Sequence, residues 1–180
     1  MLKVISLMGA PGTGKSTLAH GLFYFIRSQF PYIRAEFVSE FAKELMWTYQ
    51  PFVSQTYITG NQFNRMKILE GKVDLVISES CLLNGLLYEE SWDYKHMRNT
   101  IWDLYGQFDN LIVYTGPPPK DYESTGRHQG YEESLKIYNE GLQLAVDLGG
   151  SVILENFDYP ERVMLRVAET GFLQGLIRPN

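Results

Sequence analysis

The residues with the clearest chemistry are Gly9-Ala10-Pro11-Gly12-Thr13-Gly14-Lys15-Ser16-Thr17, which satisfy the spacing G-x-x-x-x-G-K-[ST] without a gap. Glycines let the backbone curl until successive N–H groups point inward, and a helix that starts there adds positive potential. That arrangement grips phosphate. Lys15 is expected to reach the β- and γ-phosphates, and the Ser16 hydroxyl to sit on Mg²⁺. Gly9, Pro11, Gly12, Thr13, Gly14 and Thr17 complete the loop. The spacing implies a nucleoside triphosphate held with Mg²⁺.

Two acids follow apolar runs. Glu40 comes after Ile33–Ser39 and Glu79 after Leu75–Ser78. Both runs read as strands lying beside the first, so both carboxylates are expected near the γ-phosphate. Such a pair can divide two tasks, taking the proton of an attacking hydroxyl and holding Mg²⁺. Glu40 is assigned the first task and Glu79 the second, beside Ser16. The alternative for Glu40 is a helix N-terminal acid favoured by the macrodipole.

Cationic and amide side chains supply further candidates. Gly116-Pro117-Pro118-Pro119 ends a strand abruptly, because prolines cannot continue a ladder, and opens a polar loop containing Lys120, Arg127 and His128. Arg127 is expected to neutralise charge on the transferring phosphate from a closing lid of about residues 116–131. Lys43, Gln62 and Arg65 are the candidates for holding an acceptor. Gln62 would meet a base edge beside Phe63 or Tyr57, and the two cations would meet a phosphate. Trp92, Trp102 and Tyr105 are expected simply to pack.

These groups need a scaffold. Five apolar runs read as buried strands: Leu2–Met8, Ile33–Ser39, Leu75–Ser78, Leu111–Thr115 and Ser151–Glu155. Helical patterns separate them at Ser16–Gln29, Glu40–Thr48, Val53–Leu69, a pair within Leu82–Tyr105, Tyr131–Leu148 and Pro160–Leu173. Alternation of this kind predicts an α/β fold: a five-stranded parallel sheet with helices on both faces, in a single domain over 1–180. The tail from Gly171 reads as frayed.

Composition narrows the class. The 180 residues carry 16 basic and 21 acidic side chains, a formal charge of −5 that argues against a general nucleic-acid coat. No run approaches the roughly 18 apolar residues of a membrane span, and the start lacks a signal-peptide pattern, so a cytoplasmic protein is expected. One cysteine, Cys81, excludes an internal disulfide and a cysteine zinc site. An Asn-Lys-x-Asp guanine-reading segment is missing, which disfavours a GTPase switch.

Over about Met1 to Phe157 the chain resembles small P-loop kinases of the nicotinamide-riboside-kinase-like ATPase group, many of them phage-encoded. The resemblance rests on GAPGTGKST at 9–17, VSEFAKE at 38–44, VDLVISES at 73–80 with Leu82, Leu83 and Tyr88, and STGRHQ at 124–129. It implies a P-loop kinase fold, ATP and Mg²⁺, a lid bearing Arg127, and transfer of phosphate to a hydroxyl of a nucleoside-type acceptor. Some members of the group resemble kinases of a hydroxymethyl pyrimidine (5-hydroxymethyluridine) already in DNA, so the acceptor stays open between a free nucleoside or nucleotide and a base in phage DNA. The phage reading places the protein in the host cytoplasm. The pattern departs at Glu79, where relatives usually carry Asp, and at Lys43, where many carry Arg. A nucleotide-dependent switch or small ATPase acting on a protein partner is the competing reading, and a kinase relative that only binds nucleotide is a third.

Overall fold

The apolar run near the N-terminus forms β1 (Lys3–Met8), whose side chains alternate between two hydrophobic layers. Ile5 and Leu7 enter one layer, Val4 and Met8 the other, as the two-residue repeat of a strand requires. A strand buried on both faces belongs inside a parallel sheet. β1 accordingly lies in the middle of one, with β2 (Ala35–Val38), β3 (Leu75–Ser78), β4 (Asp109–Tyr114) and β5 (Val152–Ile153) around it. The order is β2-β3-β1-β4-β5 and every pairing is parallel. The computed structural model describes residues 1–48, 54–88, 94–122 and 129–177, with the backbone alone for 94–96.

Helices α1 (Lys15–Gln29), α2 (Phe41–Trp47), α3 (Gln55–Lys67), α4 (Tyr94–Tyr105), α5 (Tyr131–Leu148) and α6 (Pro160–Glu169) join the strands. α1 and α6 cover one face: Leu18, Leu22 and Ile26 meet Val163, Met164 and Val167 above Ile5 and Leu7. On the other face lie Met66 of α3, Met97 and Ile101 of α4, and Ile137 and Ala145 of α5. Helices on both faces of a parallel sheet are what the alternation of patterns predicts. Trp102 and Tyr105 pack edge to face at 6.2 Å as expected, while Trp92 lies outside the described residues. Among the described residues no helix is long and apolar enough to cross a membrane.

Two expectations are corrected. β2 does not lie beside β1: β3 takes that place, and β2 is the edge strand. The pattern of β2 carries the reason, since Glu36 is exposed and Phe37 half-buried, whereas all four residues of β3 are buried. The expected pair of helical segments within Leu82–Tyr105 is present as a buried 3-10 turn at Leu82–Leu87 and α4. Through Ile177 the tail is packed rather than frayed: α6 stops at Glu169, Gly171 turns the chain at φ 74°, and Leu173 enters the core with Phe172, Leu176 and Ile177 against it.

Candidate functional site

All five strands run parallel, so their C-terminal ends meet on one side of the sheet, where open α/β folds bind ligands. The loop from Gly9 to Gly14 leaves β1 on that side and enters α1. Gly9, at φ 150°, passes so close to β4 that an added Cβ would stand 2.1 Å from Thr115 Oγ1. Gly12, at φ 79°, lies under the ring of Tyr122, 2.5 Å from where its Cβ would be. Only glycine supplies both the backbone angle and the clearance.

Neighbouring elements hold the loop. Thr13 Oγ1 donates to Ala10 O at 2.9 Å and lies 2.6 Å from Thr115 Oγ1. From α5, Ser134 Oγ donates to Pro11 O at 2.6 Å. Ser134 is fully buried, so its hydroxyl is a structural fastening, and nothing in the sequence marked it out. Ser134→Ala is expected to cost about 1 kcal/mol of stability, the ordinary worth of such a bond, and to weaken ATP binding by loosening the loop. Thermal denaturation and a nucleotide titration on the same preparation check both.

The charged groups converge at the mouth of α1. Lys15 is buried and its Nζ donates to Ala10 O at 2.7 Å. The Ser16 hydroxyl donates to Glu79 Oε1. Lys43 Nζ, from α2, reaches Ser16 Oγ at 3.0 Å and Glu79 Oε1 at 3.5 Å. The other Glu79 oxygen, Oε2, accepts the Glu40 amide at 3.2 Å. Burial pushes the Glu79 carboxyl up, but the Ser16 hydroxyl, the Glu40 amide and Lys43 outweigh it and hold it below the usual carboxylate range. It stays ionised.

Glu40 behaves oppositely. It precedes α2 with extended backbone, and its side chain faces the same cavity as Lys15 and Ser16. Burial pushes its carboxyl above the usual range; Lys15 pulls it back, and the Glu79 charge pushes it up again. The nearby Ser80 hydroxyl favours its ionised form slightly. Two neighbouring carboxylates with proton affinities driven apart are suited to different tasks, one for charge and one for protons.

A hydroxyl and one ionised carboxylate are hard oxygen donors, and they fit Mg²⁺, which is bound through one or two protein oxygens together with phosphate. No cluster of three or more His, Cys, Asp or Glu among the described residues could hold a metal without a ligand's help. Cys81 is no nucleophile, because burial pushes its thiol up to about 12.

The loop, Glu40 and Lys43 line one cavity of about 520 Å³ that continues away from the phosphate end between Leu45, Met46 and Trp47 of α2, Ile58 of α3, and Leu82 and Tyr88 of the turn after β3. Two of the three acceptor candidates are otherwise engaged. Gln62 lines the cavity, yet its Oε1 accepts the Phe41 amide at 2.9 Å and its Nε2 donates to Ser78 Oγ at 3.2 Å. It caps α2 instead of presenting an edge. Arg65 forms a two-pronged pair with Glu44 at 2.5 and 2.6 Å and stacks over Phe41, clasping α2 to α3 away from the cavity wall. Lys43 alone of the three brings its charge to the reacting end. Arg127 and His128 lie outside the described residues.

Sequence reasoning passed over Asn84, in the turn after β3, and Phe157, a 56% exposed ring beside the start of α1. Phe157 carries a faint signal, an aromatic just after a strand in a polar stretch. Asn84 carries none.

No protein-family model and no curated protein matches the chain. Solved structures do. A NadR protein in complex with NAD and AMP-PNP superposes with a TM-score of 0.66 and 18% identity, covering 99% of this chain and 52% of that one. The chain thus spans about half the length of that protein. Thymidylate kinase from Ehrlichia chaffeensis matches with a TM-score of 0.61 and 13% identity, covering 93% of this chain and 97% of the other. Chaetomium thermophilum Kti12, in complex with ADP-AlF3, gives 0.57 and 15%, with 94% and 98% covered. At these identities the likeness is one of fold. The parallel sheet, the loop after its central strand and the helices on both faces make this the fold of the P-loop kinases.

Proposed function

We propose that the protein is an ATP- and Mg²⁺-dependent kinase that transfers the γ-phosphate to a hydroxyl of a nucleoside-type acceptor. The observation that carries this reading is a single cavity: the phosphate loop, Lys43 and the proton-affine Glu40 line one end, with the ionised Glu79 bonded behind Ser16, and side chains of α2, α3 and the turn after β3 line a second compartment. A triphosphate alone does not require the second compartment. A hydrolase needs room only for water.

In this reading the loop amides and Lys15 bind the β- and γ-phosphates, and Lys15 exchanges its Ala10 carbonyl for phosphate oxygen. Ser16 and Glu79 would hold Mg²⁺, which when bound neutralises charge on the phosphates. Lys43 stands over the Ser16–Glu79 pair and offers a second positive charge to the transferring group. Glu40 orients the acceptor hydroxyl and receives its proton as the oxygen attacks phosphorus. Arg127 would add charge from the lid side.

Phe157 offers the ATP base a stacking face beside the loop, since an added Gly14 Cβ would lie 3.0 Å from its ring. Phe157→Ala is expected to weaken ATP binding about two- to tenfold, the range of a stacking pair, with the acceptor's KM unchanged. Steady-state kinetics with each substrate varied in turn check it.

For the acceptor, the NadR structure contains NAD and the Ehrlichia relative is a thymidylate kinase, which supports a nucleoside-type ligand. The narrower reading, a hydroxymethyl pyrimidine in DNA of a phage, requires the base to be flipped into the cavity at a cost of a few kcal/mol. Arg65 is paired with Glu44 and Lys67 with Glu70, which leaves those two cations less able to track a DNA backbone. That favours a free nucleoside. The test is transfer from γ-labelled ATP, with Mg²⁺, to free nucleosides, nicotinamide riboside, nucleoside monophosphates, and DNA with or without 5-hydroxymethyluracil. Label on a nucleoside is expected. Label on the modified DNA alone would establish the narrower reading, and inorganic phosphate alone, whatever the acceptor, would establish an ATPase or switch.

A further inference from the structure

One buried polar atom in the structure has no place in the mechanism above. Asn84 lines the cavity from the turn after β3, and its Oδ1 is shielded from solvent with no hydrogen-bond partner among the described residues. Buried acceptors are almost always satisfied, so an orphan in a cavity wall calls for a reason.

The orientation of this amide is set by its neighbours. Asn84 Nδ2 donates to Ser80 Oγ at 3.1 Å. The nitrogen therefore points at Ser80, and the oxygen is left turned the other way.

The surroundings define what the oxygen could meet. Leu45, Met46, Trp47, Ile58, Leu82 and Tyr88 give this half of the cavity an apolar lining, with Gln55 and Thr59 the polar side chains of α3 beside the turn. Among the described lining residues the only cations are Lys15 and Lys43, and both stand at the phosphate end. Such a compartment suits an uncharged ring, and an oxygen acceptor within it suits an N–H on the ring's edge. Gln62, the residue whose type first suggested base recognition, has its amide committed to Phe41 and Ser78.

We propose that Asn84 reads the acceptor's base: its Oδ1 accepts a hydrogen bond from an N–H of an uncharged nucleobase held in the apolar half of the cavity. This rests on the nucleoside reading above and names the feature that selects within it. Because Oδ1 is shielded, the base edge reaches it by shifting a wall side chain, a rotamer-scale adjustment common at binding sites.

The experiment is calorimetric titration of the full chain, in AMP-PNP and Mg²⁺, with nucleosides in matched pairs. The pairs are uridine and 3-methyluridine, cytidine and N4,N4-dimethylcytidine, adenosine and N6,N6-dimethyladenosine. At least one parent is expected to bind more than about tenfold tighter than its methylated partner, the worth of one well-placed hydrogen bond or more. In Asn84→Leu that ratio is expected to fall to within about twofold. Discrimination that persists in Asn84→Leu would be steric rejection by the walls and would overturn the proposal. So would equal binding of every pair by the unsubstituted protein, or binding of none, and these arms stand even if the variant does not fold. The outcome is separable from that of the kinase reading, which fails instead if a nucleoside binds and no label is transferred to it.

Discussion

Lys15→Ala is expected to lower the rate of phosphate transfer by about 10²–10³-fold or more, the cost of losing a preorganised charge at the position where negative charge develops. The side chain is buried at the end of the loop and its ammonium is held at Ala10 O, 2.7 Å away, so it already lies where the terminal phosphates would be cradled. Among the described residues the other cation at this end, Lys43, does not substitute for it. Lys43 serves the Ser16–Glu79 pair on the α2 side, and its charge enters from a different direction. The loss should fall on kcat and on ATP affinity together, because Lys15 meets the phosphates in both ground and transition states. Single-turnover transfer from γ-labelled ATP, alongside a nucleotide titration, separates the two. A variant retaining a tenth of the normal rate would mean that the loop binds something other than a reacting triphosphate.

Glu40→Gln is expected to reduce transfer by about 10²–10⁴-fold, the usual contribution of a positioned general base, while ATP binds within about threefold of normal. Glutamine keeps the volume and an oxygen that can accept from Ser80, and the backbone amide at position 40 still donates to Glu79. The metal-side carboxylate is thereby left in place. What disappears is the group whose proton affinity burial and the Glu79 charge hold high. Exchanging the two assignments gives a different pattern: if Glu40 served the metal, Glu40→Gln would raise the Mg²⁺ requirement and leave the transfer rate at saturating metal nearly intact. A Mg²⁺ titration of both proteins therefore distinguishes the roles.

Much of this site was legible in the sequence because its strongest parts are local. The glycine spacing of the loop dictates left-handed turns whatever surrounds it, and Gly12 and Gly14 take φ near 80° as that spacing demands. Strand ends were legible too, since an acid directly after an apolar run must emerge at the sheet's edge; Glu40 and Glu79 do. The position of β2 was not, although the exposed Glu36 within it marks an edge strand. Side-chain pairing was hardest to foresee. Gln62 and Arg65 have the residue types of ligand-binding groups, but a buried helix start needs a cap and α2 takes Gln62 for it, while Glu44 takes Arg65. Ser134 and Asn84 left no trace because their meaning depends on a partner more than a hundred residues away in one case, and on an amide oxygen buried without a partner in the other.

The most direct test of the account is the fate of the γ-phosphate in one turnover. Labelled ATP and Mg²⁺ are mixed with the protein and a pool of free nucleosides, in parallel with the Glu40→Gln protein. The account predicts label on a nucleoside hydroxyl with the unsubstituted chain, and ATP bound but intact with the variant. Label released only as inorganic phosphate, or transferred equally by both proteins, would contradict it.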